Sequence, residues 1–218
     1  MKTSRDAYSK STNRYDDVLT KKKLWSKLYI KLIWGGVDYA DLADELFDIV
    51  PEDFKGKLLD VPVGTAVFTA SKYSALGDAD ITCLDYSEAM LSQAEEKFKD
   101  RELKNILCVQ GDVGNMPFPD ENFDVVISMN GFHAFPDKKK AFSEVNRVLK
   151  KGGVLSACQY VRGESRMTDL FVKMVLARRG LFAPPFHTLN ELEAILKDSY
   201  SSVEMHNKKG TAYYKCIK

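Results

Sequence analysis

No charge of either sign dominates this chain of 218 residues: Lys and Arg total 32 and Asp and Glu 31, a formal net charge of +1. A nucleic-acid binder ordinarily carries a basic excess, so the balance disfavours that class of partner. Cysteine is scarce too. Cys83, Cys108, Cys158 and Cys216 each sit in an apolar, strand-like run, and none forms a CxxC pair. That pattern excludes a disulfide framework and a thiolate metal site, and no metal-ligating set is expected. The thiols read as small buried side chains of a reducing compartment. Long apolar runs are absent, so no membrane span is expected. The opening "MKTSRDAYSK" has no signal-peptide core, and the expectation is a cytoplasmic protein. Internal repeats and low-complexity tracts are absent as well.

Two regions are present. Residues 1–14 are polar and form an arm. From Tyr15 to Val50 the spacing of Leu24, Leu28 and Leu32, and then of Leu42, Leu46 and Phe47, predicts two helices broken at Gly35-Gly36. Residues 1–50 are therefore read as an N-terminal arm and helical lid. After Pro51, strands and helices alternate. Strands are predicted at Lys57–Val61, Asp80–Asp85, Ile106–Gln110, Phe123–Met129 and Val154–Tyr160, and helices at Thr65–Ser74, Ser87–Asp100 and Lys138–Leu149. "KKGG" at 150–153 reads as a helix end followed by a glycine stop. The alternation implies an α/β fold with a mainly parallel sheet covered on both faces. In the tail, Thr188 and Glu191 have capping-box spacing, and two strands meet at Lys209-Gly210 as an antiparallel hairpin. The long segment 161–186, with Arg178-Arg179-Gly180 and Pro184-Pro185, reads as a functional cover inserted into the 51–218 domain.

In such sheets ligands bind beyond the carboxyl ends of the strands, so the residues just past each strand carry the information. "KLLDVPVGTA" follows the general shape of a nucleotide-binding turn and is short of glycine. Pro62 and Ala66 stand where such loops usually place their first and third glycines, only Gly64 remains of the G-x-G-x-x-G pattern that cradles a pyrophosphate, and Pro62 has no N–H to donate to a phosphate. A nicotinamide dinucleotide is thereby disfavoured, whereas a nucleoside ligand without phosphates needs only one glycine at the closest approach. Asp60 ends the first strand, and Gly64 supplies that approach. Asp85 ends the second strand, 25 residues on (85 − 60), where an acidic group accepts from a ribose diol. Asp112 ends the third and suits an exocyclic adenine amine. Tyr86, Met90 and Met116 offer apolar faces for the base.

These stretches resemble the class I S-adenosylmethionine-dependent methyltransferases, in particular the small-molecule group similar to ubiquinone and menaquinone methyltransferases. "LLDVPVGTA" is similar to their glycine-rich first motif and "CLDYSEAML" to their ribose-binding acidic motif. "VQGDVGNMPFPDENFDVVISMNGFHAFPD" resembles their adenine-binding motif and fourth strand, and "AFSEVNRVLKKGG" the helix and turn before the fifth. The resemblance covers about residues 51–218. It implies a Rossmann-like three-layer sandwich with a seven-stranded sheet ending in an antiparallel hairpin. It also implies S-adenosyl-L-methionine as cofactor and S-adenosyl-L-homocysteine as product. Gly64 would lie against the methionine moiety, Asp85 would bind the ribose hydroxyls, and Asp112 and the Val113 N–H would bind the adenine. Asn130 would lie near the methionine end, and Tyr15 would close over the cofactor.

Methyl transfer from a sulfonium is an in-line displacement that needs alignment and exclusion of water. A general base helps only where the nucleophile starts protonated. His133, just past the fourth strand, is the candidate for that role, whereas His187 reads as part of a helix entry and His206 as a surface strand residue. Trp25, Tyr29 and Trp34 suit a substrate with an apolar or aromatic part, and Lys21-Lys22-Lys23 reads as a solvated helix face. The expected reaction methylates oxygen, nitrogen or an activated carbon of a small molecule. Two alternatives stand beside it: an RNA or protein methyltransferase, and a non-catalytic S-adenosylmethionine-binding module.

Overall fold

Along the strands, neighbouring apolar residues are buried in opposite directions. A computed structural model describes residues 39–218. Its strands are β1 (Lys57–Asp60), β2 (Asp80–Asp85), β3 (Ile106–Gln110), β4 (Phe123–Met129), β5 (Leu149–Tyr160), β6 (Ser202–Lys208) and β7 (Thr211–Ile217). They form one sheet in the order β3-β2-β1-β4-β5-β7-β6. The first five pair in parallel, while β7 runs antiparallel to both β5 and β6. Leu58, Val125 and Ile127 join one core, and Leu59, Val126 and Leu155 join the other. Both faces of the inner strands are therefore dry, as their near-continuous apolar sequences require, while the edge strands β3 and β6 keep exposed residues.

Helices supply the outer layers. On the Leu58 side lie α1 (Tyr39–Phe47), the short α2 (Ala70–Tyr73) and α3 (Glu88–Asp100). On the Leu59 side lie α4 (Lys138–Val148) and α6 (Leu189–Ser199). Side-chain caps start several of them. Ser87 Oγ accepts from the Met90 N–H at 3.4 Å and Asp137 Oδ1 from the Lys140 N–H at 3.0 Å. Thr188 and Glu191 make the expected capping box. The cover segment holds α5 (Arg166–Phe171), which runs on into a π-turn at Val172–Leu176.

Two local readings are corrected. The helix expected over Thr65–Ser74 is reduced to Ala70–Tyr73. Ala66 has φ +52°, a left-handed backbone that no α-helix can pass through. "KKGG" does not end a helix either. Helix α4 stops at Val148, and Lys150 and Lys151 already belong to β5, which shifts register against β4 between Phe123 and Val125. The bond from Lys150 Nζ to Asp124 Oδ1, 2.7 Å, pins that irregular start. The hairpin at Lys209-Gly210 forms as read, with both residues at positive φ. Of the two expected N-terminal helices, the first falls outside the described residues, and the second is α1. Its Leu42, Leu46 and Phe47 are buried in the Leu58-side core.

Candidate active site

The strand order reverses between β1 and β4, and a cleft opens there at the carboxyl ends of the strands. It holds about 1130 Å³ of empty space, its mouth included. Asp60, Pro62, Gly64, Asp85, Tyr86, Met90, Asp112, Val113 and Asn130 all line it. The chain thus brings nine of the expected cofactor residues to one cleft. Tyr15 lies outside the described residues, as do Trp25, Tyr29, Trp34 and the run Lys21-Lys22-Lys23. Met116 does not line the cleft. It is buried in the Leu59-side core, where its N–H donates to Glu144 Oε2 at 2.8 Å.

Three carboxylates shape the cleft, each in a different setting. Asp60 is buried, and its Oδ2 accepts from the Tyr73 hydroxyl. Its Oδ1 is buried without a hydrogen-bond partner among the described residues. Burial pushes its carboxyl up to about 7, despite the Tyr73 bond, which acts the other way. Asp85 accepts from the Ser87 N–H at 2.8 Å through Oδ1 and from the Gly64 N–H at 2.9 Å through Oδ2. Burial raises it from its ordinary value, and those backbone donors offset part of the rise. Asp112, two residues past β3, accepts from the Gly114 N–H at 2.9 Å. Each carboxylate oxygen has more than one lone pair, so these internal bonds fix the carboxylates without exhausting them.

The turn between β1 and α2 is built for close approach. Gly64 has φ +57°, and a Cβ placed on it would meet nothing within 4 Å. Ala66 takes a left-handed backbone that favours glycine, which is why such turns carry glycine at that place. Gly131, not singled out from the sequence, locks the far wall. A Cβ there would lie 2.3 Å from Pro62 Cδ and 2.7 Å from Ser128 Oγ. Tyr39, Phe68, Thr69 and Phe135 also line the cleft, and Tyr39 stacks on Phe68 with ring centroids 5.8 Å apart. Phe68 and Thr69 come from the β1 turn and Phe135 from the segment after β4, and only Tyr39 is brought in from a distant element.

His133 does not reach the rim where a base was expected. It is buried, does not line the cleft, and has its ring centroid 3.8 Å from that of Phe182. Its Nδ1 accepts from the Tyr160 N–H at 3.0 Å, so the neutral ring carries its proton on Nε2 and has no free lone pair. Burial, with the Lys138 charge adding to it, lowers its pKa to about 3. Its place in the fold is a strut between β5 and the cover segment. His187 precedes the α6 cap, and His206 pairs with Glu45 at 2.8 Å on the surface. Cys83, Cys158 and Cys216 are buried and Cys108 is half-buried, all four in strands. Among the described residues no group of three or more His, Cys, Asp or Glu could hold a metal. No helix there is long and apolar enough to cross a membrane.

Comparison with known proteins finds a methyltransferase domain in the part of the chain that builds the cleft. Residues 59–157 match the family model described as a methyltransferase domain, Methyltransf_11. This stretch takes in the first, ribose, adenine and fourth-strand motifs. Over this stretch the chain is similar to S-adenosylmethionine-dependent methyltransferases. Among curated relatives it is 44% identical over 100 residues to the demethylmenaquinone methyltransferase of Staphylococcus haemolyticus, covering 45% of this chain and 41% of that protein. It is 40% identical over 98 residues to that of Geobacillus sp., with 44% and 42% covered. The chain therefore spans less than half the length of these curated relatives. The methyltransferase domain also shares its fold with solved structures. A possible histamine N-methyltransferase from Thermotoga maritima superposes with TM-score 0.69 at 18% identity, over 97% of this chain and 98% of that one. Haemonchus contortus phosphoethanolamine N-methyltransferase 2, solved with S-adenosyl-L-methionine, superposes with TM-score 0.70 at 17% identity, over 97% and 60%.

Proposed function

We propose that this chain transfers a methyl group from S-adenosyl-L-methionine to a small-molecule acceptor with an apolar or aromatic part. The observation that carries the reading is the convergence of Asp60, Asp85, Asp112 and Gly64 on one cleft at the strand ends. The residues fit the cofactor. The lone Asp60 Oδ1 suits its ammonium group. Asp85 suits the ribose hydroxyls, and Asp112 with the Val113 N–H suits the adenine amine edge. Tyr86 and Met90 give the base apolar walls, and Gly64 and Asn130 frame the methionine end. Pro62, next to the turn, removes one of the backbone N–H donors that a pyrophosphate needs.

The cofactor supplies an activated methyl on a sulfonium. The chain's own contribution is alignment and exclusion of water, which together supply about 7–11 kcal/mol of the barrier. Since His133 has no free lone pair, we assign it no proton transfer. The reading favours an acceptor that arrives ionised or loses its proton to solvent. The relatives named as demethylmenaquinone methyltransferases support an aromatic ring as acceptor. Tyr39, Phe68 and Phe135 are proposed as the walls against which that ring packs, with the segment 161–186 as a cover behind Tyr39.

Isothermal titration with S-adenosylmethionine, S-adenosylhomocysteine and NADH tests the reading. Binding of the two sulfur ligands is expected, with none of NADH. Asp85→Ala should weaken the former at least tenfold, because a hydrogen bond to a charged group is worth about 1.5–3 kcal/mol. Failure of both sulfur ligands to bind would remove the methyltransferase reading.

A further inference from the structure

Five large hydrophobic side chains among the described residues are exposed, and three of them, Met167, Leu170 and Met174, lie on α5 and its π-turn. Their spacing of three and four residues puts them on one face, while Thr168, Val172 and Leu176 are buried on the other. Basic side chains border that outer face: Lys173 within it, and Arg178 and Arg179 in the turn that follows. All three are exposed, and none forms an ion pair with an acidic residue among the described residues. The one carboxylate inside the helix, Asp169, is turned inward, where it accepts from the Tyr160 hydroxyl at 2.7 Å and the Gly163 N–H at 2.9 Å.

We propose that this face docks on an anionic lipid bilayer. Apolar tips interleaved with basic heads on one short helix match an acyl boundary beneath negative headgroups, where both kinds of group are satisfied together. A nucleic acid would take the cations and leave Leu170 and Met174 in water. The position is apt as well. The helix follows β5, so it stands at the carboxyl end of the sheet, the end at which the cleft opens. Its inner residues Val172 and Leu176 share a cluster with Tyr39, which lines the cleft. Docking would bring the cleft mouth to the bilayer surface.

Co-sedimentation of the full chain with vesicles of phosphatidylcholine, alone or mixed with phosphatidylglycerol, tests this apart from any turnover. Binding is expected only with the anionic lipid. Leu170→Ser with Met174→Ser should weaken it at least tenfold. Arg178→Gln with Arg179→Gln should weaken it roughly 30-fold at low salt, about fivefold per charge, and remove most of its salt dependence. All four positions are exposed, so unchanged melting temperatures are expected of both variants. Three results would each overturn the proposal: no binding to anionic vesicles, binding that survives either pair of substitutions, or self-association in sedimentation velocity that Leu170→Ser abolishes.

Discussion

Replacing Gly131 by alanine tests the architecture of the cleft most directly. The new methyl would stand 2.3 Å from Pro62 Cδ, 2.7 Å from Ser128 Oγ and 2.9 Å from Phe135 Cζ. Carbon atoms in contact prefer about 3.5–4.0 Å, so all three approaches are repulsive. None of the neighbours is free to give. Pro62 is a ring fused to the backbone of the turn. Ser128 is fully buried within β4, and the Phe135 ring lies edge-on to Phe132 with centroids 5.5 Å apart. Overpacking of this kind costs about 1–3 kcal/mol. At about 2–4 °C per kcal/mol for a chain of this size, Gly131→Ala should melt about 3–10 °C lower. Because Pro62 leads into the Gly64 turn, the Kd for S-adenosylhomocysteine should also rise, roughly tenfold, or about 1.4 kcal/mol. Gly77→Ala is the control, since a Cβ there meets nothing within 4 Å. Scanning calorimetry and isothermal titration read both quantities. A Gly131→Ala protein that melts and binds like the control would refute the picture of a turn wedged between Pro62 and β4.

Three further outcomes follow from the buried polar groups. The folded Asp60 carboxyl holds its proton up to about 7, whereas the unfolded one releases it near its ordinary value of 3.8. Between those values the folded state binds more protons, so stability falls as pH rises and then levels off; urea midpoints for Asp60→Asn should lack this component, and equal slopes in both proteins would refute it. Tyr73→Phe removes the hydroxyl that donates to Asp60 and should cost about 1–3 kcal/mol. The loss should be larger at pH 8 than at pH 5, where the carboxyl is neutral; the same loss at both would contradict the assignment. His133→Leu should leave the Tyr160 N–H unpaired at a cost of about 1–3 kcal/mol, with the pH profile of turnover unmoved. An inflection in the wild-type profile that disappears in this variant would restore His133 as a base.

The inner strands were legible because each apolar run ends in an acid or a turn, and burial on both faces leaves little room for another reading. The same pattern placed Asp85 and Asp112 at strand ends, and both line the cleft. What escaped the sequence depends on packing at a distance. Nothing near residue 66 announces a left-handed alanine. It follows from the turn closing, with the Ala66 N–H donating to the Val63 carbonyl at 3.1 Å. "KKGG" has the chemistry of a helix end, yet the register of β4 draws Leu149 and Lys150 into the sheet. For His133, position along the chain gave the right end of the sheet and the wrong side of the backbone. Phe182, almost fifty residues on, holds the ring inward. Gly131 and Tyr73 owe their importance to Pro62 and Asp60, each reached only through the folded turn.

The order of the last two strands has a consequence for how the chain is made. Strand β7 is inserted between β5 and β6, so β6 reaches the sheet only through it. During synthesis from the amino end, β5 is complete some fifty residues before its neighbour exists. Its outer row of backbone donors and acceptors stays open for that interval, and an open strand edge is a template for pairing with another nascent chain. Residues 211–217 therefore act as the closing stitch of the sheet. A ribosome that pauses before them leaves a chain with its cofactor strands assembled and its most aggregation-prone edge bare.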